Sequence, residues 1–449
     1  MTQLPITHDN YYKAVVQQFN GDTNNENPDW LRTLRENAFA KFEELGFPTA
    51  RRGNEEWKYT DVRPIARSVF SRPTISPKKP TYSELRKFTF GEESWTQLVF
   101  INGTVAPEIS SQANLPNGVI VTDLAEAALS HPEIVQDNLG RHMQYESNAF
   151  SALNTAFINH GAFIYIPKGV VVSEPLHLIF ITTQQQQTAS HPRVLIVTGE
   201  DSSSNIIQSY VGLDDIGHLS NVVTETVVGK GSSLRHYTVQ QQSEQDDHIS
   251  NTQVVVNGDS FFSSINFDFG GGLVRNNLNV LMAEEGGSCL LNGLYMPTGT
   301  QHVDNQVIID HAKGHTDAFE LYKGILNGKA RSVFHGSIIV QKNAAKVNAS
   351  QSDKNLLLSP EAEADTKPAF WIYCDDVKCA HGAACGQIDD NQMFYLRTRG
   401  LSEADAKRLL VGGFATEVID SVQLTSLRNH VSALVDQRLG GWLGEEQLP

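Results

Sequence analysis

Three of the chain's four cysteines, Cys374, Cys379 and Cys385, lie in one stretch, KPAFWIYCDDVKCAHGAACGQIDD, from Lys367 to Asp390. His381 stands two residues after the middle one. Thiolate and imidazole are the donors preferred by iron–sulfur clusters, zinc and copper. The spacing C-x4-C-x-H-x3-C differs from the paired C-x2-C of a closed zinc knuckle. The chemistry to expect is a thiol/imidazole site whose metal the spacing does not name. FWIYC also alternates like a half-buried strand, and cysteine is among the most buried residue types. That makes Cys374 and Cys385 readable as small apolar fillers. Cys379 and His381 follow the charged turn DDVK and are the two candidate ligands.

A second patch is His302-Val-Asp304-Asn-Gln-Val-Ile-Ile-Asp310-His311-Ala-Lys-Gly-His315. His311 and His315 have helical spacing, but Gly314 and the Val/Ile runs favour strand and turn. The patch reads as a polar, partner-facing edge of a sheet rather than a metal site. No GxxxxGK[ST], GxSxG or HExxH occurs, and GGGLVRNN at 270–277 lacks GxGxxG spacing.

Residues 1–160 read as an α-rich domain. Tyr11, Tyr12, Val15, Val16 and Phe19 recur at helical spacing. A second helix has Asn27 as a cap, Pro28 in its first turn and Gly46 at its end. Asp123 and Glu126 form a capping-box pattern, and Phe150, Leu153 and Phe157 mark a later helix. GNEEWKYTDVRP offers Trp57 and Tyr59 as anchors for a loop. From Ala162 the runs become short, β-branched and bounded by Gly, Asn and Ser. Gly199, Gly229, Gly258, Gly286 and Gly314 follow one another at intervals of 30, 29, 28 and 28 residues. Such a period means stacked units, each too small to bury its own apolar face. The absence of amphipathic helices between the runs selects a β-solenoid, assigned to 161–392. Residues 393–449 are helical again, with Ser402 and Asp405 as a cap. Ala406, Leu410, Phe414, Val418 and Val422 form one stripe there, and a last helix ends near Gly440-Gly441. That helix pair either packs on its own domain or offers an apolar groove to a partner.

At 449 residues the chain can hold two or three domains. Its net charge of −16 argues against nucleic-acid and anionic-membrane binding. The first residues have no basic and apolar succession of a secretory signal, and no apolar run reaches membrane-spanning length. Four cysteines, three of them clustered, are no disulfide framework, so the expected compartment is the reducing cytoplasm.

DDVKCAHGAACGQIDDNQMFYLRTRG resembles the signature of the SufB/SufD family of the SUF iron–sulfur assembly system. EEWKYTDVR, FSALNTAFINHGAFIYIPKGVVVSEPLHL, HVDNQVIIDH, ELYKGILNGKARSVFHGSIIV and NASQSDKNLLLSPEAEADTKP match it in order over essentially the whole chain. Length and WKYT point to the SufD side. The resemblance implies a right-handed parallel β-helix between N-terminal and C-terminal helical regions, and a non-catalytic scaffold. It implies pairing with SufB through the β-helix and with the SufC ATPase through the C-terminal helices. It maps a role in the transient cluster at the SufB interface onto His381, and the motif cysteine onto Cys379. It implies no tightly bound cofactor and leaves room for a flavin on the complex. Trp371 replaces a usual acidic residue, Cys374 an alanine and Cys385 a valine, and Thr316 stands where cysteine is common. The alternatives are a SufB-like scaffold paralogue, a stand-alone Cys/His metalloprotein, or a carbohydrate-active β-helix enzyme using Asp304 and Asp310.

Overall fold

A computed structural model describes residues 9–20, 28–50, 54–73, 80–92 and 94–443. The β-branched runs form a solenoid of about eight turns. Each turn gives one strand to each of two sheets. The first sheet runs from Thr96–Ile101 and Leu176–Thr182 to Asp317–Leu326, Val347–Leu357 and Val377–Gly386. The second runs from Gly161–Ile166 and Arg193–Thr198 to His302–His311, Arg331–Val340 and Glu363–Ile372. Neighbouring strands are parallel, and residues such as Leu234, Phe262 and Cys289 sit one turn apart in register. Alternate residues of each strand face inward. Val254, Val280, Ile309 and Ile338 on one sheet meet Leu234, Phe262, Leu291 and Tyr322 on the other in one continuous core.

The true periodic marker of the turns is a left-handed residue. It recurs as Gly169, Asp201, Gly231, Asp259, Gly286, His315 and Lys346, with φ between 54° and 79°. Each donates its N–H to a carbonyl of the following turn, as in Asp201 N to Lys230 O (2.8 Å) and His315 N to Ala345 O (2.8 Å). Of the glycines expected to mark the turns, only Gly286 is itself left-handed. Gly229 and Gly314 serve close stacking instead: a Cβ would lie 2.5 Å from Thr198 O and 2.2 Å from Ala345 O respectively.

The two ends of the solenoid differ. At the start, Thr104–Val105 and Ile120–Asp123 pair antiparallel with the first strands and stop further growth. The segment read as α-rich therefore also supplies strands. At the finish, Val377–Gly386 and Glu363–Ile372 each pair with a single neighbour among the described residues.

Helices cover the outer faces. Asn10–Asn20, Asp29–Leu45 and Ala149–Ala156 pack Tyr11, Phe42 and Phe150 over Leu219 and Ile249 of the second sheet. Glu403–Ile419 and Thr425–Leu443 lay Val411, Ala415, Val418, Leu427, Val431 and Val435 on Tyr237, Phe267 and Leu294 of the first. The C-terminal pair thus spends its apolar stripe on its own solenoid. Ser402 caps as expected, accepting from Asp405 N at 3.1 Å. Two local expectations change and one is untested. Asn27 lies outside the described residues. Asp123 precedes its helix but makes no cap; its carboxylate accepts from Gly161 N (3.0 Å) and contacts His160. The last helix runs through Gly440 and Gly441 to Leu443.

Candidate functional site at the open end of the solenoid

The cysteine-bearing stretch is the last turn of the solenoid. Glu363–Ile372 and Val377–Gly386 are its two strands, and Tyr373–Asp376 is the corner between them. FWIYC does not alternate as a half-buried strand, since Trp371, Ile372 and Tyr373 are all exposed; register with the preceding turn decides which side chains face inward. Ala349, Gln351 and Asn355 are buried in Val347–Leu357, and their register partners are Cys379, His381 and Cys385. These three therefore share the inward face of the terminal strand. With no turn stacked beyond them, His381 and Cys385 are exposed and Cys379 is half-buried. The His381 ring stands edge-on to Phe370 of the opposing sheet, with centroids 4.5 Å apart. Cys374 lies half-buried in the corner and packs on the core as a filler would. Cys385, read as a filler too, is exposed in this chain.

All four cysteines are free. Burial raises the Cys379 thiol pKa, partly offset by a hydrogen bond from Ala349 N. Burial also raises that of Cys385, with the Asp353 carboxylate adding to it. Neither is an activated thiolate in the chain by itself. No group of three or more His, Cys, Asp or Glu side chains that could hold a metal ion exists among the described residues. The open end offers soft donors without enclosing anything.

The His/Asp patch has another part to play. His302–His311 is a central strand, paired with Leu273–Met282 and Arg331–Val340, so it is no partner-facing edge. Its polar side chains point to different places. His311 faces inward and bonds Thr316 Oγ1 at 2.7 Å. Asp310 accepts from Gln341 Nε2 at 2.8 Å. Asp304 pairs with the guanidinium of Arg275 and accepts from Thr60 Oγ1. Thr60 also lies 3.0 Å from His302 Nε2. The Trp57 ring covers Arg275 at 3.8 Å. EEWKYT is thus the anchored loop expected, and HVDN is its socket. The loop reaches the last turn as well, through Glu55 and Lys367 at 3.5 Å. Sequence reading missed Arg275 because its partners are 29 residues or more away along the chain.

The SUF system FeS cluster assembly SufBD core domain matches residues 180–414, and the SufBD protein N-terminal region matches 6–178. The chain belongs to the SufBD family of iron–sulfur cluster assembly proteins. An iron–sulfur cluster assembly SufBD family protein of Synechocystis is 30% identical over 398 residues, covering 86% of each chain. The iron–sulfur cluster assembly protein SufD of Escherichia coli is 29% identical over 401 residues, 88% of this chain and 90% of its own. SufD of Bacillus subtilis is 26% identical over 430 residues, 92% and 95% respectively. The family's core domain spans all the later turns, the open end included. Among the described residues, no helix is long and apolar enough to cross a membrane.

Proposed function

We propose that this SufBD protein is a non-catalytic, SufD-type subunit of an iron–sulfur assembly complex. Its last turn pairs with a SufB chain, and its C-terminal helices seat the SufC ATPase. The observation that carries this reading is the asymmetry of the solenoid. One end is closed by antiparallel strands, and the other is two bare strand edges with soft donors on the inward, uncovered face of the last strand. A bare edge is completed by another strand, and the natural complement of a solenoid end is a second solenoid end. His381 and Cys379 then form half of a site, and SufB supplies the rest of the ligands for the nascent cluster. The cluster is cargo, built and passed on. Four free thiols suit the reducing cytoplasm, where we place the protein.

The test is cluster assembly by the intact complex under anaerobic conditions, with His381→Ala and Cys379→Ser variants. His381→Ala should abolish assembly while leaving the complex intact on size exclusion. Unchanged assembly by both variants would sink the proposed site. A chain recovered alone from anaerobic pull-downs would sink the subunit reading.

A further inference from the structure

A cleft of about 510 Å3 lies between the last helix and a corner of the solenoid. Arg438 stands on its wall, beside Trp442, with Phe269 as an apolar partner across from them. The Arg438 guanidinium donates to Met296 O and lies 5.8 Å from the Trp442 ring centre. No carboxylate within salt-bridge distance of it is found among the described residues. Burial lowers its pKa, and Glu244 offsets this only in part. A guanidinium has five N–H donors in a planar fork, so most of this one's capacity is unspent.

The same wall carries an oddity of the helix. Gly440 and Gly441 sit inside Thr425–Leu443, where glycine is a poor helix former. A Cβ at either would meet nothing within 4 Å. No described residue requires the bare backbone. Close approach by another chain would use it.

We infer that this cleft is the anchor pocket for an acidic side chain of the ATPase partner, inserted between Arg438 and Trp442. The inference rests on the subunit reading above. Three features choose the occupant. The cleft is wide and shallow, whereas small-molecule sites enclose their ligand. A single guanidinium with unspent donors matches a single carboxylate. Gln241 and Gln437 offer amides suited to a peptide backbone. Arg and Trp are also the residue types that most often dominate binding energy at protein interfaces.

The experiment is a calorimetric titration of the full chain with the purified SufC ATPase. Arg438→Gln removes the charge, and Gly441→Leu fills the cleft without touching any charge. Each should weaken binding about tenfold or more. Asn429→Ala, an exposed site elsewhere on the helix, should leave it unchanged. Thermal unfolding of each variant reports whether the fold is kept, and Gly441→Leu tests the cleft even if Arg438→Gln does not fold. Failure of the unaltered chain to bind the ATPase overturns the subunit reading and the cleft with it. Binding by that chain with both variants unaffected overturns the cleft alone. Removal of residues 444–449 should leave affinity equal or higher. If that removal and Arg438→Gln lower thermal stability alike and neither alters binding, the cleft serves the chain's own Glu445 and Glu446, and the proposal falls.

Discussion

His381 and the three clustered thiols differ in what surrounds them more than in their own chemistry. Cys379 and Cys385 are held as thiols, because partial burial disfavours the charged form and no cation among the described residues reverses that. A metal or a partner's positive charge must displace the proton before Cys379 or Cys385 can ligate. Alkylation kinetics check this. In the chain alone, Cys379 and Cys385 should react more slowly than a free cysteine at neutral pH, and their rates should still be rising at pH 9. Cys289, buried and raised further by burial, should stay unreacted until the chain unfolds. A fast-reacting Cys379 at pH 7 would contradict the assignment. Burial acts in the same direction on Asp268. It accepts from Asn266 and Asn276 at 2.7 and 2.9 Å, and burial pushes its pKa up to about 7. Its folded pKa exceeds its unfolded one, so the native state holds the extra proton between about pH 4 and pH 7. This residue's contribution therefore falls as pH rises through that window. Asp268→Asn should raise stability at pH 8 by about 2 kcal/mol and change little at pH 4, measured by urea unfolding. An equal effect at both pH values would rule out the protonation change.

At the scale of elements, the helical regions are joined to the sheets by buried polar clasps as well as apolar stripes. Glu225, on the strand Leu219–Val228, accepts from the N–H groups of Gly140 (2.8 Å), His142 and Met143 (both 3.1 Å). Arg193, on the neighbouring strand, pairs with it and reaches Asn154 and Thr155 of the helix Ala149–Ala156. Burial would raise the Glu225 pKa, but Arg193 and those N–H groups hold it below the usual range. Neither side chain of the pair is exposed. Arg193→Met should thus cost about 3–5 kcal/mol, because it leaves a buried carboxylate without its cation. The double variant with Glu225→Gln should recover part of that loss. A double variant no better than the single one would mean that the backbone N–H groups, rather than the pair, carry the clasp.

For the whole molecule, the decisive property is that one end of the solenoid is finished and the other is not. Hydrogen exchange reads this directly. Amides in the central strands His302–His311 and Arg331–Val340 should exchange slowest, since each has a neighbour on both sides. Half of those in Val377–Gly386 should exchange fast in the chain alone and become protected once SufB is added. Protection of that strand before any partner is present would show the end already closed, by a second copy or by part of this chain. The same asymmetry leaves the open last turn and the C-terminal helices on different parts of one body. The helix Glu403–Ile419 is tied to the strands just before the open turn through Glu417, which lies 2.5 Å from Lys323 and 3.7 Å from Lys354. Lys354 is on the strand that pairs with Val377–Gly386.

By itself the sequence determined the stacking period, the class of the fold and the stretch in which thiols and imidazole cluster. Those depend on short-range facts: which residues are β-branched, where the chain turns and how thiols and imidazole are spaced. It also showed that WKYT needed something to anchor to. Three matters were left to the tertiary structure, all for one physical reason. A residue's environment in a solenoid is set by the turns above and below it, about thirty positions away. Thus Cys385 looked like filler, because alternation puts it on the inward face, yet the missing next turn leaves it exposed. HVDNQVIIDH looked like an edge, but neighbours on both sides make it the socket for Trp57 and Thr60. The C-terminal stripe could belong to its own domain or to a partner, and Tyr237, Phe267 and Leu294 of the first sheet, lying beneath it, decide for the chain itself. Only the folded chain could decide which surface was left over, and that surface is the open last turn.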